Sequence, residues 1–198
     1  MEDGQASLRA SFGRFISVLE SIEGGLPDVH IGVITPNMGA SALDGSILSN
    51  VPGCSGRGED GKLRGIAGGV AFLSDESDGN GGRRRNYSGT LTDAFAEIAT
   101  VGVTGCGVEQ HLESMKRALD GSNAANTGFL RKDAYLAVVI LADEDDCSLQ
   151  QSTIFEGNPN DTNWGELVNF RCTSKGVKCD EGNPDLSVPG ARAGCHPD

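Results

Sequence analysis

Four consecutive carboxylates, Asp143-Glu144-Asp145-Asp146, follow directly on the chain's longest apolar run, Ala134 to Ala142. Side chains of like charge crowded on one turn repel each other, and a bound divalent cation relieves that repulsion. Carboxylate oxygens are hard ligands and select Mg²⁺, Ca²⁺ or Mn²⁺ over zinc or copper. The glycine-rich turn Gly102 to Gly107 precedes the helical stripe that leads into the same run, so the hydroxyl of Thr104 can share the rim and offer a further oxygen. An acidic turn of this kind also serves simply as a solvated strand end.

The other chemistry-bearing side chains are more scattered. His30 lies in an apolar strand pattern, where packing or a backbone hydrogen bond is its ordinary role. His111 sits on a helix between Gln110 and Leu112, and His196 is near the end of the chain. No Gly-x-Ser-x-Gly motif accompanies them, so nucleophilic catalysis has no visible triad. Windows 75–86 and 158–169 have partial EF-hand spacing but lack the acidic residue at the twelfth position. Arg83-Arg84-Arg85 is an anion site or, more simply, a charged loop tip.

Six cysteines, Cys54, Cys106, Cys147, Cys172, Cys179 and Cys195, contain no C-x-x-C pair, which removes a zinc ribbon or a thioredoxin-type motif. Cys106, flanked by glycines at a helix start, has the setting of a reactive thiol, but an even count and wide spacing favour disulfides. Four of the six fall in a last third with little apolar periodicity, where crosslinks replace a core. Six cysteines allow 15 pairings, and the sequence leaves the choice open.

These groups must be positioned by the elements around them. Leu8, Phe12, Phe15, Ile16, Leu19 and Ile22 make one helical face, stopped by Gly24-Gly25. Val29 to Thr35 reads as a buried strand, residues 36 to 68 as a long surface excursion, and Val70 to Leu73 as a short strand before a polar loop. Helical stripes follow at Ser88 to Thr100 and Val108 to Leu119. Tyr135 to Leu141, apolar on both faces, reads as a central parallel strand covered by helices on two sides. Trp164, Leu167, Val168 and Phe170 suggest one more short helix. The alternation predicts an α/β fold with an open, mostly parallel sheet and helices on both faces, whose ligands gather at the carboxyl ends of the strands. Residues 1–148 form this domain, and 149–198 a cysteine-containing, loop-rich insertion or extension of it.

Composition bounds the function. The chain has 198 residues, with 16 basic against 28 acidic side chains and a net charge of -12. Such a charge repels a phosphate backbone and argues against nucleic-acid binding. The longest apolar run spans nine residues, short of the ~20 needed to cross a bilayer. Glycine, at 29 residues, signals many loops. Disulfides imply an oxidising compartment, extracellular, periplasmic or anchored at the outer membrane, although no export signal opens the sequence.

Three segments carry a family likeness: PDVHIGVIT at 27–35, GCGVEQHLESMKRAL at 105–119 and LRKDAYLAVVILADEDDCS at 130–148. In order and spacing they resemble a von Willebrand factor A domain of the bacterial secreted or lipoprotein type, over under a quarter of the chain. The resemblance implies a metal-ion-dependent adhesion site binding Mg²⁺ or Ca²⁺, with Asp143 as the third-loop ligand and Thr104 as the second-loop ligand. Asp145, two residues on, is a further candidate. The family's first loop, Asp-x-Ser-Gly-Ser-Met, would set its Met at Met1, so the first strand and most of that motif are missing and the cation is expected to bind weakly or not at all. The implied function is a non-enzymatic, adhesion-type module that recognises a protein ligand through a carboxylate. A rival likeness, Asp143-x-Asp145 to the nucleophile and acid/base of haloacid-dehalogenase-type phosphotransferases, implies Mg²⁺-dependent phosphoryl transfer with Lys175 or Lys178.

Overall fold

The computed structural model describes residues 1–48, 51, 53–66, 69, 71–150, 152–155, 171–182 and 190–197. These form two compact units. The first comprises Met1–Thr35, Lys62–Thr104 and Arg117–Leu141, the second Pro36–Gly61, Gly105–Lys116 and Ala142–Asp198.

In the first unit, helix α1 (Glu2–Glu20) buries Gln5, Phe12 and Ile16 on one stripe. Phe12 stacks on Phe95 of helix α2 (Leu91–Ile98), with ring centroids 3.6 Å apart. Thr90 caps α2 by accepting from the Asp93 backbone N–H at 3.1 Å, while its hydroxyl donates to the Asp93 carboxylate at 2.6 Å. The pair satisfies one helix-end donor and places a negative charge at the positive end of the helix. Against the two helices lies a sheet of β1 (Val29–Ile31), β2 (Leu73–Ser77) and β3 (Arg83–Arg85), in the order β1-β2-β3. Leu73, Leu91, Ala94, Ile98 and Ala99 complete the buried cluster, with Val29 and Ile31 packed on it.

Both sheet pairings are antiparallel, with Val29 opposite Asp75 and Asp75 opposite Arg85. The expected open parallel sheet is therefore corrected to a small antiparallel one, while a mixed α/β architecture holds. The reason is local. Asp78 accepts from the N–H groups of Asn80 and Gly82, both at 2.8 Å, and Gly79 and Gly81 take positive φ, so SDESDGNGGRRR folds back as a hairpin.

The larger correction concerns Tyr135–Leu141. Instead of a central strand, residues 135–142 form no regular element and all are exposed. A two-sided apolar strand needs partners on its edges and cover on its faces. Among the described residues no backbone hydrogen bond reaches 135–141, and the side-chain cover is only partial, with Leu141 lying beside Gly4 of α1.

The second unit contains helix α3 (His111–Leu119) for most of its length, the short helix α4 (Arg171–Gly176), and the pair β4 (Val177–Lys178) with β5 (His196–Pro197). Its core is Ala40, Val51, Cys106, Val108, Cys147, Ile154, Phe155 and Cys172. The stretch expected as a surface excursion supplies part of that core, with Met38 and Ala40 almost wholly buried. Leu43 and Asp44 donate backbone hydrogen bonds to Leu149 and Gln150, at 2.9 and 3.1 Å. The helix expected around Trp164–Phe170 falls outside the described residues.

All six cysteines are paired, as Cys54–Cys106, Cys147–Cys172 and Cys179–Cys195. Every bridge lies in the second unit. A core this small, made partly of half-cystines, is held by crosslinks that shrink the unfolded ensemble. The third bridge continues the β4–β5 ladder, which pairs Val177 with Pro197 and Lys178 with His196.

Candidate functional site

The acidic turn belongs to the second unit and wraps the N-terminus of α3. No helix-capping residue precedes His111, since Gln110 occupies that place. The cap comes from residues 146–148 instead. Asp146 Oδ1 accepts from Leu112 N at 2.9 Å, and Ser148 Oγ accepts from Glu113 N at 2.7 Å. The Ser148 hydroxyl donates to Asp146 Oδ1 at 2.9 Å, and its N–H to Oδ2 at 3.2 Å. Cys147 N donates to Glu109 O at 2.7 Å and fixes the turn beside the helix start. Asp146 is thus a structural carboxylate, satisfying orphan amide groups and complementing the helix dipole.

His111 sits beneath this turn with its side chain 8% exposed. Its Nε2 lies 2.9 Å from Glu109 Oε2, and its Nδ1 lies 3.9 Å from Asp146 Oδ1. The first contact is an ion pair out of line for a good hydrogen bond, and neither atom has another hydrogen-bond partner among the described residues. Glu109 holds the imidazole above its ordinary pKa despite burial, helped by Asp146 and Asp143. The reciprocal strain falls on Glu144. Burial raises its pKa first, and the carboxylates of Glu109, Asp143 and Asp145 raise it further, with His111 opposing.

Asp143 is exposed in the second unit, and Thr104 is exposed in the first. Asp145 Oδ2 is occupied, accepting both the N–H and the hydroxyl of Thr173 at 2.8 Å. Asp145, Cys147 and Cys172 present ligand-type atoms within 4.8 Å of one another. The two sulfurs are bonded to each other, so they are not thiolate ligands and the cluster reduces to one engaged carboxylate. Lys175 lies on α4 and Lys178 on β4, both exposed.

A second cluster, in the first unit, was not legible as a site. Asp75 on β2 is 1% exposed and receives Arg83 Nε at 2.6 Å, Arg85 Nε at 3.0 Å and the Tyr87 hydroxyl. Arg83 also donates to the carbonyls of Leu26 and Pro27, at 2.6 and 2.9 Å. Burial pushes the Asp75 carboxyl up, but the Tyr87 hydrogen bond and the arginines outweigh it and hold the pKa below the usual carboxylate range. The arginine triplet is therefore a structural strand, and two of its members neutralise a buried charge. Nearby, His30 faces the Phe129 carbonyl at 2.7 Å and Glu76 Oε1 at 3.1 Å, in keeping with the packing role expected for it.

Compared with family models, with characterised proteins and with solved structures, the chain shows no significant match to any of them.

Proposed function

We propose that the chain is a non-enzymatic protein-binding module of an extracellular or cell-envelope compartment, and that it takes its partner by strand addition along Tyr135–Leu141. One observation carries this reading. Seven consecutive apolar residues, four of them the strand formers Tyr135, Val138, Val139 and Ile140, stand exposed, Val139 to 81% and Ile140 to 54%, with no backbone partner among the described residues. Unpaired amide and carbonyl groups in a row are a template for another chain, and the apolar side chains supply the adhesive surface. The three disulfides support an oxidising setting, and no described helix is long and apolar enough to cross a membrane.

A weakly held divalent cation at Asp143 belongs to the same reading. The support is electrostatic: Glu144 is disfavoured as an anion by burial first and then by Glu109, Asp143 and Asp145, and a cation there opposes the carboxylates' part of that field. With few fixed oxygens, the affinity is on the order of millimolar. Adding Ca²⁺ or Mg²⁺ at that level should lower the Glu144 pKa in carboxyl-resolved NMR, and Asp143→Ala should remove the effect. An unmoved Glu144 titration discards the cation.

Hydrogen–deuterium exchange tests the strand-addition reading itself. Amides 136–141 should exchange at unprotected rates in the dilute, monomeric chain. Protection there in the monomer would mean that the run is already paired internally, and the reading would fail.

A further inference from the structure

The charges flanking the exposed run differ at its two ends. Arg131 and Lys132 precede it, and Asp143 to Asp146 follow it. Among the described residues, Lys132 is exposed and makes no ion pair, and Glu144 is half-buried with neither hydrogen bond nor ion pair. Between them, residues 134 to 142 carry no charge, no Gly and no Pro. A segment that is positive at its head and negative at its tail is complementary to itself when reversed.

We propose that two copies of this chain pair through antiparallel strands formed by residues 134–142 and centred on Val138, an inference that rests on the strand-addition reading above. A two-fold axis perpendicular to an antiparallel pair requires one residue to face its own copy. With Val138 in that place, Leu136 faces Ile140, Tyr135 faces Leu141, and every pair from 134 to 142 is apolar. The same register sets Lys132 of each copy against Glu144 of the other, joining two charges that are unpaired in the single chain. Arg131 falls opposite Asp145, but Arg131 is already on the Asp28 carbonyl and Asp145 already holds Thr173, so the test does not use this pair. Asp133 falls opposite Asp143, a like-charge contact that is weak between exposed groups. Val138, Val139 and Ile140 are β-branched and favour the extended backbone. Pairing satisfies backbone groups that a row of exposed apolar side chains otherwise leaves to water.

Sedimentation across a concentration series should show a monomer–dimer equilibrium. Lys132→Glu and Glu144→Lys should each weaken the dimer about tenfold, equivalent to ~1.4 kcal/mol, and the double variant should restore it. Under oxidation, Val138→Cys should give a covalent dimer. Val139→Cys should not, because its side chain is on the opposite face and meets Ala137 of the other copy. The dimer is overturned if the chain stays monomeric while amides 136–141 exchange freely, a result that leaves strand addition to a different partner standing. It is overturned as well by open-ended growth into filaments, by failure of the charge pair to restore affinity, or by equal crosslinking at 138 and 139. Amides protected in the monomer overturn both readings.

Discussion

Asp75 shows what a single buried charge does in this molecule. Removing it leaves Arg83 and Tyr87 converging on an empty place, with two cations close together and no anion between them. Asp75→Ala should therefore cost about 3 kcal/mol of stability in urea unfolding, since breaking a buried pair strands the remaining charge. Because the folded-state pKa of Asp75 is depressed, its contribution is fully present above the unfolded value of ~3.9 and is lost as pH falls through the folded one. His111 acts with the opposite sign. Its pKa is raised, so its stabilisation is present below ~6.5 and fades as pH rises through the folded value. His111→Gln should flatten that alkaline limb in melts taken across the pH series. Neither site was visible residue by residue. The partners of Asp75 lie eight, ten and twelve positions away across a hairpin, and those of His111 include a carboxylate 35 positions on.

Among the elements, capping separates what is local from what is not. Thr90 and Asp93 form a cap from within the first turn of α2 itself, and Thr90→Ala should lower stability by about 1 kcal/mol. Helix α3 has no such residue and borrows Asp146 and Ser148, so Asp146→Ala should cost a similar amount, measured as a drop in Tm at neutral pH. If Asp146→Ala leaves Tm unchanged, the borrowed cap contributes nothing. The helices were largely legible, because an apolar stripe with a three-to-four spacing needs only its own residues to be recognised. Residues 135–141 were misread for the opposite reason. Their composition satisfies every local condition for a buried strand, yet a strand exists only where another backbone completes its hydrogen bonds.

For the molecule as a whole, the disulfides divide the burden of stability unevenly. The first unit holds an apolar cluster of helices and sheet, while the second shares its core with half-cystines. The Cys54–Cys106 bridge closes a separation of 52 residues. On the chain-entropy account its removal by Cys54→Ala and Cys106→Ala costs about 4 kcal/mol. Complete reduction should strip amide protection from residues 36–48, 53–61, 142–150 and 152–155 while leaving α1, α2 and the β1-β2-β3 sheet protected. Simultaneous loss across both units would show that the crosslinks sustain the entire chain.

Sequence by itself determined the helical stripes, the acidic charge and the even set of cysteines. Each of those is a property of neighbouring residues, or of composition. Only the tertiary structure decided the direction of the sheet, the choice among fifteen disulfide pairings and the burial of Asp75. Those outcomes depend on contacts between residues far apart in the chain. Their free energy comes from closing loops and excluding water, and no local pattern encodes which distant partner does so.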